Sequence, residues 1–202
     1  MSRKKKSKGG GLALIIVIFA LFLAGKTGAL PKGLPGGSGP AGYVNPIGAG
    51  MTPWRVDQGV DYNGTGSREL YALGSGTITL ATTGSGWPGG GFVKLRLDSG
   101  KYKGRYVYYA EQITPVVWGG HVRAGQLIAR CHAVPYCLEI GWASASTDNT
   151  MSSANGQSAA GEAAGDPGAY PTGCGMAMDR LLKSLGAPGG LIQSGPVQGG
   201  SC

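Results

Sequence analysis

The chain has 202 residues, of which 40 are glycine and 12 proline; this leaves room for one domain of roughly 100 residues and excludes dense packing throughout. The net charge of +8 is concentrated at the start, where Arg3, Lys4, Lys5, Lys6 and Lys8 supply five of the 18 basic residues; from Lys26 onward 13 basic and 10 acidic residues leave only +3. No basic stripe with interleaved aromatics follows, so nucleic-acid binding is excluded as a function class.

The first segment, residues 1–25, is a basic N-terminus followed by a hydrophobic stretch. Leu12 to Ala24 contains no charged or polar side chain. As a helix it would span about 20 Å against a hydrocarbon core of about 30 Å, and the uncharged run extends from Gly9 to Gly25. The pattern fits a membrane anchor or a signal segment, with small residues at Thr27 to Ala29 for a signal peptidase. Either way the basic end stays in the cytoplasm and the rest lies outside. The expected protein is therefore single-pass, with its domain outside the cytoplasm, or secreted after cleavage. Residues 26–50, rich in proline and glycine, are expected to be a disordered spacer.

Residues 51–143 read as a β domain. Short runs rich in Val, Ile, Thr, Tyr and Leu occupy Leu70–Leu73, Gly76–Ala81, Phe92–Asp98, Arg105–Glu111, Gln126–Cys131 and Cys137–Trp142. Glycine turns separate most of them, as in an antiparallel sandwich or barrel. In Phe92 to Leu97, alternation places Lys94 and Arg96 on one face and Val93, Leu95 and Leu97 on the other. Tyr106, Tyr108 and Tyr109 are expected in the core, and the loop Gly84 to Gly91 in solvent.

Residues 144–170, dominated by Ala, Ser, Gly, Asn and Thr, read as a low-complexity loop. Residues 171–188 then hold one short helix. Met176, Met178, Leu181, Leu182 and Leu185 form its apolar stripe, Asp179, Arg180 and Lys183 its polar side, and Gly186 and Pro188 its stop. Its stripe is expected to dock on the β domain, and residues 189–202 to form a flexible tail. The four cysteines form no CxxC pair; outside the cell, Cys131 with Cys137 and Cys174 with Cys202 are candidate disulfides.

Two acidic motifs frame the domain. RVDQGVDY, from Arg55 to Tyr62, sets Asp57 and Asp61 around a glycine, and CLEIGW, from Cys137 to Trp142, places Glu139 inside an apolar strand pattern. With LYALGSGTI, GWPGGGFVKLRL, YVYYAEQ and VVWGGHVRAGQLIA between them, the chain from Arg55 to Trp142 resembles the lysostaphin-type zinc endopeptidases, which cut cross-bridges in bacterial cell walls. The resemblance implies a mainly β, sandwich- or barrel-like peptidase domain. It does not extend to the catalytic residues. In place of the family's His-x-Gly-x-Asp stands Asp57 to Asp61, of which only Asp61 matches. The histidine of the tyrosine strand is replaced by Glu111, and the paired His-x-His by Cys137 and Glu139. The histidines present, His121 and His132, lie off the pattern and read as solvated.

Zinc hydrolysis needs mainly nitrogen or sulfur ligands and an open position. Asp57, Asp61 and Glu139 would offer only oxygen, which suits a hard divalent cation such as calcium or magnesium and disfavours zinc. Cys137 could be a thiolate ligand, but a disulfide to Cys131 competes. No cofactor is expected. Three readings remain: a degenerate domain with a binding groove at Asp57, Asp61, Glu111 and Glu139; a peptidoglycan hydrolase using Glu111 and Glu139 as a carboxylate pair; or a hard-metal site with a structural role. Beside them stands a salt-bridged cluster with no function, for which Arg55, Arg105 and Arg130 are available. The favoured reading is a non-catalytic envelope protein, anchored in the membrane and binding peptidoglycan or a surface protein, for which a mildly basic exterior is suited.

Overall fold

A computed structural model describes residues 42–64, 68–132, 135–146, 150–151, 155, 170–200 and 202. The hydrophobic N-terminal segment and most of the low-complexity loop lie outside the described residues. Among the described residues no helix is long and apolar enough to cross a membrane.

The chain is mainly antiparallel β, with one helix described. The strands are β1 (Met51–Val56), β2 (Val60–Gly64), β3 (Arg68–Tyr71), β4 (Gly76–Thr82), β5 (Gly91–Leu97), β6 (Tyr106–Glu111), β7 (Ile113–Pro115), β8 (Gly120–Val122), β9 (Leu127–Cys131) and β10 (Leu138–Ala143); the helix, α1, is Gly173–Ser184. Seven strands form one sheet in the order β1-β2-β10-β6-β5-β4-β8, and three form a second in the order β3-β9-β7. Period-two alternation assigns the faces of the large sheet. Val60 and Tyr62, Val93, Leu95 and Leu97, Val107 and Tyr109, and Leu138, Ile140 and Trp142 share one core with Leu70 and Ile128 of the small sheet. Met178, Leu181, Leu182 and Leu185 complete that core, so α1 docks on the β domain as its stripe implies. The opposite face carries a smaller cluster of Phe92, Tyr108, Ala110 and Ala143, flanked by Leu80, Trp87 and Tyr106.

Several expectations are corrected. Packing begins inside the stretch read as spacer: Tyr43 and Ile47 are buried, the Val44 amide donates to the Leu73 carbonyl, and Ile47 bridges Leu70. Strands β1, β2, β7 and β8 were not anticipated; His121 lies on β8, exposed as expected, its Nε2 2.8 Å from Asp98 Oδ2. Lys94 is buried because its face is covered, with its ammonium 5.0 Å from the centroid of Tyr106. Asp179 is buried as well, accepting from the Gly190 amide at 2.9 Å and so fixing the chain beyond the helix. Trp87, in a loop expected to be solvated, stacks on Phe92.

Nor is the tail free. Leu191 exchanges backbone hydrogen bonds with Trp54 and Val56, and Gln198 does so with Pro171 and Gly173. Both cysteine pairs are bridged, Cys131 to Cys137 and Cys174 to Cys202, with Cα separations of 5.6 and 4.5 Å.

Candidate functional site

The β1–β2 hairpin turns within Asp57, Gln58 and Gly59, since Val56 pairs with Val60. The turn closes by Asp57 N donating to Gly59 O at 3.1 Å and Gly59 N donating to Asp57 Oδ1 at 3.3 Å. Only glycine fits at the third position. A Cβ on Gly59 would stand 2.5 Å from the Tyr108 hydroxyl, 2.6 Å from Ile140 O and 2.9 Å from Glu139 Oε1. Helix α1 holds the turn from outside. Its N-cap, Thr172, donates to Asp57 O from both its amide, at 2.9 Å, and its hydroxyl, at 2.8 Å.

Register brings the acids together. Asp61 of β2 lies opposite Glu139 of β10, which in turn lies opposite Ala110 of β6. Asp57, Asp61 and Glu139 each present a carboxylate oxygen, all within 4.8 Å of one another. Arg55 bridges two of them, with Nη2 2.9 Å from Asp57 Oδ2 and Nε donating to Asp61 Oδ2 at 2.7 Å. The Tyr108 hydroxyl donates to Glu139 Oε1. Among the described residues, two buried acceptors, Asp61 Oδ1 and Glu111 Oε2, have no hydrogen-bond partner.

Glu111 reaches this company by an unusual backbone. Its strand neighbour two residues back, Tyr109, faces the main core, and strict alternation would send Glu111 the same way. Its φ of 85° breaks the alternation, a conformation that costs a non-glycine residue energy. Burial, then the charges of Asp61 and Asp57, push its carboxyl up to about 9, with Arg55 opposing. Burial also raises Asp57 and Asp61, each opposed by Arg55, and Asp61 additionally feels Asp57. Glu139 is raised well above the usual range by burial, then by Asp57, Asp61 and Glu111, with the Tyr108 hydrogen bond opposing. Burial disfavours the charge on Arg55, but Asp57 and Asp61 outweigh it and its pKa is raised.

Three of the four acids, Asp57, Asp61 and Glu139, thus form one cluster, with Glu111 linked to it by charge, and of the three arginines considered as partners only Arg55 serves it. Arg105 lies 3.8 Å over the Trp142 ring, and Arg130 pairs with the exposed Glu69. The donor set is all oxygen, as a hard cation would require, but the guanidinium already engages one oxygen of each aspartate. Cys137 is in a disulfide and cannot be a thiolate ligand. No histidine joins the cluster among the described residues.

Beside the acids runs a feature that the sequence did not suggest, a groove of about 560 Å³. Gln58, Leu80, Thr82, Trp87, Phe92 and Thr150 line most of it. Trp87 and Phe92 pack on Tyr108, with ring centroids 5.4 and 6.1 Å away, so the same tyrosine supports the groove and holds Glu139. A tryptophan followed by proline in a glycine-rich loop was the available signal. Fold and site define an antiparallel β domain carrying a buried, arginine-bridged carboxylate cluster under an aromatic groove. No protein-family model matches the chain, and neither does any curated protein.

Proposed function

We propose that this chain is an exported, membrane-tethered cell-envelope protein whose β domain shares the lysostaphin-type architecture and binds wall material without cutting it. The observation that carries the reading is Arg55. On the resemblance, the family's first histidine falls on Asp57, its aspartate on Asp61 and its paired histidines on Cys137 and Glu139; the oxygens of the three acids lie within 4.8 Å of one another. The cation between the two aspartates is a guanidinium. A zinc ion activates water through an open coordination position. A guanidinium has no such position; it holds one oxygen of each aspartate and activates no water.

The carboxylate-hydrolase alternative has less support. An acid–base pair needs one ionised member and access to substrate. Glu111 and Glu139 are both raised by burial and by the other acids, and both are buried. The test is incubation of the full chain with purified wall sacculi. The expected result is retention on the sacculi with no release of soluble fragments. Fragment release by the wild type but not by Glu139→Gln would overturn the non-catalytic reading, and no retention would overturn wall binding. Metal analysis of the purified protein should find no stoichiometric zinc.

A further inference from the structure

We propose that the groove beside the acid cluster binds the glycan strand of the wall, with a sugar ring stacked on Trp87; this rests on the wall-binding reading above. Among the described residues that line the groove, none is charged. A charged ligand would lose its hydration there and find no counter-charge. The lining instead alternates two kinds of neutral surface. Trp87, Pro88 and Phe92 are flat and apolar, while Gln58 and Thr150, joined by a hydrogen bond from the Thr150 hydroxyl to Gln58 Oε1, and Thr82, which accepts from the Gly84 amide, make the polar part of the lining. A pyranose ring has the matching pair of surfaces, with C–H groups on its faces and hydroxyl or acetamido groups around its rim. The volume, about 560 Å³, falls within the range of about 300–1,000 Å³ common to small-ligand sites.

The platform is built before any ligand arrives. Gly90 N donates to Trp87 O at 2.8 Å, Ser85 N donates to Gly90 O at 2.9 Å, and Trp87 N donates to Ser85 Oγ at 3.3 Å. Gly89 and Gly90 adopt φ of 73° and 77°, which lets the loop turn back under the indole. Beneath it, Tyr108 is fixed by its hydrogen bond to Glu139. The acid cluster therefore acts as a positioning device for the aromatic floor, which lowers the ordering cost of binding. A neutral peptide would look for main-chain partners along a free strand edge. At the groove floor the Phe92 backbone is engaged on both sides, by Thr82 of β4 and Ala110 of β6, so side chains are what the floor presents.

The test uses the full chain and two uncharged probes, the β-1,4-linked tetramer of N-acetylglucosamine and pentaglycine acetylated and amidated at its ends, followed by tryptophan fluorescence and calorimetry. The tetramer should bind, perturb the tryptophan signal and displace the protein from sacculi. Trp87→Ala should weaken tetramer binding about tenfold or more, the loss expected when an aromatic platform is removed. Trp87→Phe should retain most of the affinity, and Thr82→Val, which removes a rim hydroxyl that also accepts from the Gly84 amide at 3.0 Å, should weaken it. Denaturant midpoints check that each variant is folded. If sacculi retain the protein but only pentaglycine displaces it, the glycan assignment fails while wall binding stands. The assignment fails likewise if folded Trp87→Ala binds the tetramer as the wild type does. If the tetramer binds but sacculi do not retain the protein, the wall reading fails and the sugar site remains.

Discussion

Arg55 is the residue on which the cluster's neutrality turns. It contacts Asp57 and Asp61 at 2.9 and 2.7 Å, and all three side chains are largely withdrawn from water. Removing one partner of a buried ion pair leaves uncompensated charge and costs about 3–5 kcal/mol. Arg55→Met should therefore lower stability by that order in urea titrations, and adding Asp57→Asn with Asp61→Asn should recover much of the loss. Glu111 makes a separate prediction. Its carboxyl rises from the ordinary 4.5 to about 9 on folding, so between those values the native state holds a proton that the unfolded chain has lost. That contribution is complete below the unfolded value, declines as pH rises through the window and is gone above about 9, with a slope of at most about 1.4 kcal/mol per pH unit. Urea midpoints should fall from pH 5.5 to pH 8.5, and Glu111→Gln should flatten the fall; an unchanged slope would refute the assignment. The acids themselves were legible in the sequence, because Asp57 and Asp61 stand four residues apart around a glycine and Glu139 interrupts an apolar run. The positive φ of Glu111 was not, since no local signal marks a glutamate as leaving its strand alternation.

Elements were read well where a run of five or more residues is rich in apolar side chains, even with both faces buried, and poorly where a strand is short or polar. Phe92 to Leu97 and Tyr106 to Glu111 alternate visibly, and β5 and β6 lie within one residue of the expected bounds. β2 is Val-Asp-Tyr-Asn-Gly, with Asp61 buried in the acid site and Asn63 accepting from the Tyr136 amide, so its alternation looks like a loop to a hydrophobicity count. The same rule sets Lys94 on the face opposite Val93, Leu95 and Leu97; the alternation is right, and Lys94 is nevertheless buried, with Tyr106 beside its ammonium. Helix α1 shows how one element positions another. A Cβ on Gly175 would collide with the Asp57 carbonyl oxygen, the atom that accepts both Thr172 hydrogen bonds. Gly175→Ala should therefore lift the helix start from the turn and cost about 1–3 kcal/mol in chemical denaturation, in spite of alanine's higher helix propensity. A gain in stability would mean that the helix is not seated on this turn.

For the whole molecule, the expected boundaries were too narrow at one end and too loose at the other. The domain begins by Tyr43, whose hydroxyl donates to Ser99 O at 2.7 Å and accepts from Tyr102 N at 2.7 Å. At the other end composition suggested a free tail, yet Leu191 runs beside β1 and the last residue is tied to Cys174 at the start of α1. Glycine-rich sequence conceals such attachment, because main-chain hydrogen bonds and a disulfide leave no hydrophobic pattern. The two disulfides differ in the chain they close, with sequence separations of 28 residues for Cys174–Cys202 and 6 for Cys131–Cys137. Loop-closure entropy alone assigns them about 3.6 and 2.4 kcal/mol. The longer bridge also fastens the tail against the helix start, which sits on the Asp57 turn. Cys174→Ser with Cys202→Ser should therefore lower the urea midpoint more than Cys131→Ser with Cys137→Ser. It should also weaken retention on sacculi, because the turn that places Gln58 at the groove loses its outer support. Equal losses from the two double variants, with retention unchanged, would show that the tail closes the fold without bracing the site.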